Sequence, residues 1–329
     1  MTKIKVVGIG GSGCNAISRM TKHKVQGVEL IALNTDVQDL KKTRAHFKIQ
    51  IGKKLTHGLG AGMDPEIGRK AALESKEKIS EILKGADMVF LIFGAGGGTG
   101  TGAGPVVAEL AKNFGILTVA IVTKPFSFEG SFREKIAAEG IKKLKEKVDS
   151  LVIIENNKLF EVLDKNTSIF NAFWFCDDIL RQAIESITDL IFLPGIINVD
   201  FADIKAILEN SGTAFFGTGY AEGEKRAEKA IRMALNSPLL GISVRGSKGI
   251  LFNVSSNKDI ALSEIEEIAR IIIQEVVPKD RLKEKTEDIS NLGLDKMLLN
   301  SQMKIIFGAV YDNRVKKGQI KVTLIATGF

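Results

Sequence analysis

Apolar residues in this chain follow two patterns, and the way they alternate along the sequence sets the first expectations. Ile4–Val7, Leu30–Leu33, Met88–Phe93, Ile116–Val122 and Leu151–Ile154 are short, almost unbroken apolar runs. They lack the in-out alternation of a half-exposed strand, so they predict strands buried on both faces. Between them the apolar positions recur every three or four residues. Ile67, Ala71, Ile79, Ile82 and Leu83 mark one helix opened by Pro65, and the stretch from Ala103 to Leu110 marks another, with Pro105 expected in its first turn. Strands alternating with helices predict an α/β fold around a parallel sheet. The longest periodic stretch, residues 168–192 with Phe170, Phe173, Ile179, Leu180, Ala183, Ile187 and Leu190, predicts a long central helix. Beyond it a smaller domain is expected. It would hold a strand at Thr213–Gly217, a helix from Glu222 to Leu235, a strand at Gly249–Val254, and a capping box of Ser263 and Glu266 before Ile268. Two last strands, Ile305–Tyr311 and Ile320–Phe329, are expected to pair across a polar turn. The divisions read from the pattern are 1–167, 168–192 and 193–329, and the charged stretch 278–302 reads as a solvated loop with a short helix.

Glycine adds chemistry to this pattern. Gly94, Gly96, Gly97, Gly98, Gly100 and Gly102, interleaved with Thr99 and Thr101, follow directly on the run Met88–Phe93. A loop of this kind between a buried strand and a helix start lets successive N–H groups converge on an anion, with the threonine hydroxyls as further donors. A flexible linker has no reason to sit there. A second glycine turn, Gly8-Ile9-Gly10-Gly11-Ser12-Gly13, follows the first strand and satisfies G-x-G-x-x-G, and Asp36 ends the next strand where a dinucleotide fold places its ribose-binding acid. Two facing glycine loops suit a longer phosphate chain better than one pyrophosphate. The Walker ending Gly-Lys-Ser/Thr is absent. Asp36 could equally cap a helix, and Gly60 and Gly62 could be turn glycines. His57 has no Cys, His or carboxylate partner at metal-ligand spacing.

The run Gly96–Gly102 resembles the signature of the tubulin and FtsZ superfamily, and nearly the whole chain resembles its FtsZ branch in the right order. The resemblance implies a Rossmann-like GTP-binding domain, a central helix and a smaller α+β C-terminal domain. It implies GTP and GDP as ligands, with Mg2+, and K+ as a second candidate, accompanying the nucleotide. Gly10, Gly11, Ser12 and Asn15 stand where the family holds nucleotide, as does the second loop. Glu129 and Arg133, in Thr123–Arg133, match the sugar-binding segment; an i,i+4 surface ion pair is the plain alternative. Phe173 and Asp177 take the positions that stack on guanine and read its edge, although Phe173 could be core. Asn198, Asp200 and Asp203 resemble the catalytic loop, which in the family acts on the nucleotide of the next subunit; helix capping alone would also account for the carboxylates. Glu155-Asn156-Asn157 departs from the family's Pro-Asn-Asp. The implied activity is GTP hydrolysis in head-to-tail filaments that form the cell-division ring. An FtsZ-related polymer with another task, a GTP-switched scaffold without hydrolysis, and a dinucleotide-dependent oxidoreductase stay open.

Composition changes this picture little. The 329 residues are 44% hydrophobic and 26% charged, long enough for two domains, with no run of membrane-spanning length and two unpatterned cysteines, which predicts a cytoplasmic protein. The net charge of +7 departs from the acidic family habit, but lysine and arginine are spread along amphipathic helices rather than clustered with aromatics, so no specific nucleic-acid partner is expected. Against the resemblance, the sequence is expected to stop at the end of the family's globular body, before the tail that recruits membrane adaptors; a trimmed tail and a different membrane anchor stay open.

Overall fold

The computed structural model describes residues 2–23, 25, 27–237, 243–257, 259–277 and 303–329. It divides into two compact units, residues 1–188 with 208–212, and residues 189–207 with 213–329. The charged stretch 278–302 lies outside the described residues. Among the described residues no helix is long and apolar enough to cross a membrane.

The first unit is built on a six-stranded sheet, all parallel, in the order β3-β2-β1-β4-β5-β6. Its strands are β1 (Ile4–Ile9), β2 (Val28–Asn34), β3 (Phe47–Gln50), β4 (Met88–Gly94), β5 (Leu117–Lys124) and β6 (Ser150–Glu155). Each residue of β1 is buried, as are all but the last of β4 and β5, which is why their sequences are continuous apolar runs. The crossovers carry α1 (Gly10–His23), α2 (Val37–Lys42), α3 (Lys53–Thr56), α4 (Pro65–Glu74), α5 (Lys76–Leu83), α6 (Gly98–Asn113), α7 (Ser131–Lys145), α8 (Leu159–Val162) and the start of α9 (Ile169–Phe192). The expected helix after Pro65 is broken at Ser75, whose N–H bonds back to Ala71 and Ala72 while its hydroxyl accepts from Gly52. One core, including Val7, Leu33, Leu91, Phe93, Val107 and Val122, fills the space between sheet and helices.

The second unit holds a five-stranded sheet in the order β8-β11-β9-β10-β7, from β7 (Gly195–Ile197), β8 (Gly212–Glu222), β9 (Gly249–Ser256), β10 (Lys304–Tyr311) and β11 (Gln319–Thr327). It also carries α10 (Phe201–Leu208), α11 (Arg226–Leu235) and α12 (Leu262–Val276). The last two strands do not pair with each other. β9 lies between them, parallel to β10 and antiparallel to β11. Every residue of β9 is buried, and a strand buried on both faces needs ladder partners on both edges. Glu222 belongs to β8 rather than to the following helix. The expected capping box moves as well: the residue before α12 is Ala261, whose N–H donates to Glu264 at 2.9 Å, whereas Glu266 bonds Arg270. Glu264 is held in turn by Arg226, which also donates to Asp259 at 2.9 Å and so ties α11 to the turn before α12.

Candidate functional site

At the carboxyl ends of the parallel strands, where ligands bind in open α/β sheets, the first unit encloses a cavity of about 320 Å³. β1 runs into α1 through Gly10, whose φ of +73° is left-handed and suits glycine. Gly10, Gly11 and Ser12 line one wall. The Ser12 hydroxyl accepts from the Gly94 N–H at 2.6 Å and so joins the two glycine segments. On the facing wall are Gly94, Gly97, Gly98, Thr99 and Gly100.

The second glycine segment is less of a loop than its sequence implies. α6 begins at Gly98, so Pro105 sits inside the helix rather than in its first turn. Only Ala95 to Gly97 connect β4 to α6. The glycines beyond are helical, and close neighbours leave no room for side chains on them: a Cβ on Gly102 would lie 1.9 Å from the Pro65 carbonyl oxygen of α4, and one on Gly104 2.6 Å from the Phe93 ring. At the helix start the N-cap residue is Gly97, and no side chain bonds the first-turn amides. These N–H groups, at the positive end of the helix, are the donors a phosphate group needs. Both threonine hydroxyls are used internally. Thr99 Oγ1 bonds Thr35 Oγ1 at 2.7 Å, and Thr101 Oγ1 accepts from the Gly96 N–H at 3.0 Å.

The remaining walls come from the ends of β5 and β6 and from α9. Glu129 and Arg133 both line the cavity and bond each other, and the other Glu129 oxygen accepts from the Phe126 N–H at 2.9 Å. The i,i+4 pair and the cavity position therefore coexist. Phe173 is 39% exposed, so it is not core; its ring meets that of buried Phe126 edge-on at 5.3 Å. Asp177 is buried, and one carboxylate oxygen lies 2.9 Å from Arg19 Nε on α1. Burial pushes its carboxyl up to about 6 even against that guanidinium, which also lies 5.9 Å from the Trp174 ring centre. Burial and the neighbouring Asp177 charge raise the Cys176 thiol to about 12, so it stays protonated at neutral pH.

Four of the expected nucleotide residues do not line the cavity. Asn15 is exposed on α1, Gly96 packs against Arg133, and Thr101 and Gly102 face a second cavity further along α6. Among lining residues not named as nucleotide contacts from the sequence are Thr123 and Pro125 of the sugar-binding segment, Asn156 and Cys176. Asn156 is 4% exposed and its Oδ1 has no hydrogen-bond partner, an orphan acceptor beside a cavity. It follows β6 directly, and position at the end of a parallel strand was the signal available for it, as for Thr123 near the end of β5 and Pro125 just after it. Asp36 caps α2 through Gln38 and Asp39 N–H groups, and Gly60 and Gly62 adopt left-handed φ of +83° and +55° in a turn.

Every residue lining this cavity belongs to the first unit, whereas Asn198, Asp200 and Asp203 belong to the second. There Asn198 Oδ1 accepts from the Gly195 N–H at 2.8 Å. Asp200 Oδ1 accepts from the Asp203 N–H at 2.8 Å, and Asp203 Oδ2 lies 3.4 Å from the Asp200 N–H. The two carboxylates thus cap α10 reciprocally. Among the described residues no group of three or more His, Cys, Asp or Glu side chains is gathered to hold a metal ion.

Residues 3–164 match the model of the tubulin/FtsZ family GTPase domain, and residues 212–284 match that of the FtsZ family C-terminal domain. Among solved structures, an FtsZ dimer from M. jannaschii is 43% identical over 100% of this chain and 88% of its own, with a TM-score of 0.87. A GTPγS-bound CetZ2 protofilament from Haloferax volcanii superposes over 99% of this chain and 92% of its own, with a TM-score of 0.78, but at 19% identity it shares only the fold.

Proposed function

The chain belongs to the tubulin/FtsZ family, and on that premise we propose that it binds GTP in the cavity of the first unit and hydrolyses it in head-to-tail assemblies that build a division ring. The observation that carries the reading is the uncapped start of α6, with glycine at its N-cap, opening on a cavity whose other wall holds Phe173 and Asp177. In this reading the amides at the start of α6 and the Gly10–Ser12 turn hold the phosphates. Arg133 adds charge, and Glu129, fixed by its two internal bonds, meets the ribose. Phe173 stacks on the base. Asp177 as a carboxylate accepts from both guanine N1–H and the 2-amino group, a pattern adenine does not offer.

Hydrolysis adds water across the terminal phosphoanhydride and yields GDP and phosphate. The groups that polarise that water are Asp200 and Asp203 of an adjoining copy, held in one orientation by their reciprocal bonds and by the α10 start. Mg2+, or K+, accompanying the nucleotide would supply charge neutralisation at the phosphates, and Asp200 and Asp203 of the adjoining copy would help to place it. Nucleotide released from purified protein tests the reading directly. GTP or GDP is expected; NAD or FAD would overturn it in favour of a dinucleotide enzyme. The cellular role is tested by depletion, which should leave cells without septa.

A further inference from the structure

α6 borders two cavities. Gly98, Thr99 and Gly100 line the first, and further along the same helix Thr101, Gly102, Pro105, Val106 and Leu110 line a second of about 540 Å³, closed by Leu73 of α4 and Ile136 of α7. We propose that this second cavity binds a small, neutral, largely apolar molecule, and that its occupancy is coupled to that of the first cavity. The volume falls within the range of about 300–1,000 Å³ typical of small-molecule sites, and the floor is apolar. The rim carries five carboxylates and four basic side chains, a net charge of only −1, so it offers little net field to a charged ligand. Two of those acids are already neutralised in place, Glu66 by Arg69 at 2.7 Å and Glu109 by Lys147 at 3.2 Å. Charge balance of this kind selects a neutral occupant.

Coupling follows from how the helices touch. A Cβ on Gly102 would lie 1.9 Å from the Pro65 oxygen of α4, one on Gly68 of α4 2.2 Å from the Gly98 oxygen, and one on Gly140 of α7 2.1 Å from Thr101 Cγ2. α4 and α7 therefore meet the first turns of α6 with no slack, and close-packed interiors transmit displacement instead of absorbing it. α7 also brings Arg133 to the first cavity. An occupant that spreads α4 from α7 shifts the amides of Gly98–Gly100, and by linkage a ligand on those amides changes the affinity of the second cavity by the same factor. The site itself does not depend on which nucleotide the first cavity takes; only the reciprocal measurement with GDP rests on that reading.

The test is a titration of the intact chain with Nile red, a neutral apolar dye whose emission rises out of water, combined with hydrogen exchange. One saturable site is expected. Val106→Arg, which fills the floor, and Leu73→Arg, at a half-exposed position on the rim, should each weaken the dye by at least about tenfold, with thermal unfolding showing that both are folded. Phe132→Ser, which removes an exposed aromatic outside the cavity, should leave the dye unaffected. Dye should alter exchange of the Gly96–Gly102 amides by about fivefold or more, and GDP and dye should shift each other's affinity equally. Absence of a saturable site, dye binding that survives both cavity variants, or dye binding lost in Phe132→Ser would overturn the site. Unchanged exchange across Gly96–Gly102 would overturn the coupling. A protein that fails to bind GDP but still passes the dye and exchange tests overturns the GTP reading alone.

Discussion

Burial holds a proton on the Asp177 carboxyl up to about pH 6, against the pull of Arg19 at 2.9 Å. Cys176, next to it on the same helix, feels the charges of both Asp177 and Glu129. Reading a guanine edge takes the ionised form, so the sign of the ligand effect is fixed. GDP affinity should be level above about pH 6 and fall by up to about tenfold per unit below it, while ATP affinity does not follow. Titrations at pH 7.5, 6.0 and 5.0 check this, and a flat GDP profile would remove Asp177 from base recognition. The stability effect has the opposite sign. Because the folded-state value lies above the ordinary 3.8, the folded chain binds the extra proton between those values. Stability without ligand is therefore gained as pH falls from about 6 towards 4, and the ionised carboxylate is a standing cost of roughly 3 kcal/mol above it. Asp177→Ala should lower the preference for GTP over ATP by about 1–3 kcal/mol, measured by competition, and leave phosphate-dependent binding in place. The residue type and spacing of Asp177 were legible in the sequence. Its protonation was not, because desolvation is set by neighbours that arrive from α1.

At the scale of elements, α6 does two jobs with one composition. Its early glycines line the first cavity and its later ones serve packing, and a string of glycine letters does not distinguish them. Gly102→Ala puts a methyl group 1.9 Å from the Pro65 oxygen, so α4 must move away. Overpacking of this kind is expected to cost about 1–3 kcal/mol, read as a lower denaturation midpoint, with weakened nucleotide binding because the start of α6 moves too. Gly97→Ala, where a Cβ meets nothing within 4 Å, is the matched control and should cost less. α10 offers a second case. Asp203→Ala removes one half of the reciprocal cap, worth about 1 kcal/mol of helix stability. GTP affinity should be near parental and hydrolysis nearly absent. Parental hydrolysis in this variant would reduce Asp203 to a cap.

For the whole molecule, the cavity lies entirely within the first unit and the carboxylates that resemble a catalytic loop lie in the second. If the neighbour's carboxylates complete each site, turnover per chain must depend on assembly. GTP hydrolysis per chain should fall towards zero below a threshold protein concentration and rise steeply above it. A turnover number constant down to dispersed monomer would indicate a self-contained enzyme.

What the sequence determined by itself is local. β1, β4 and β5 could be read directly because parallel strands covered on both faces must be continuously apolar, and α9 because its apolar period runs unbroken for most of its 24 residues. The glycine turn at Gly10 and the cap at Asp200 were equally visible, since both are set by residues within a few positions of each other. Tertiary structure alone decided everything that depends on which distant segments meet. It put β9 between the two last strands, where sequence proximity favoured a hairpin. It turned Thr101 and Gly102 away from the first cavity, because helical geometry begins at Gly98 once α4 is packed against it. It brought Arg19 of α1 to Asp177 of α9, and Asn156 from the end of β6 to the cavity wall. The reason is common to all of these: backbone preference and hydrophobic period act over a few residues, whereas burial, ladder pairing and ion pairing are fixed only when the core closes.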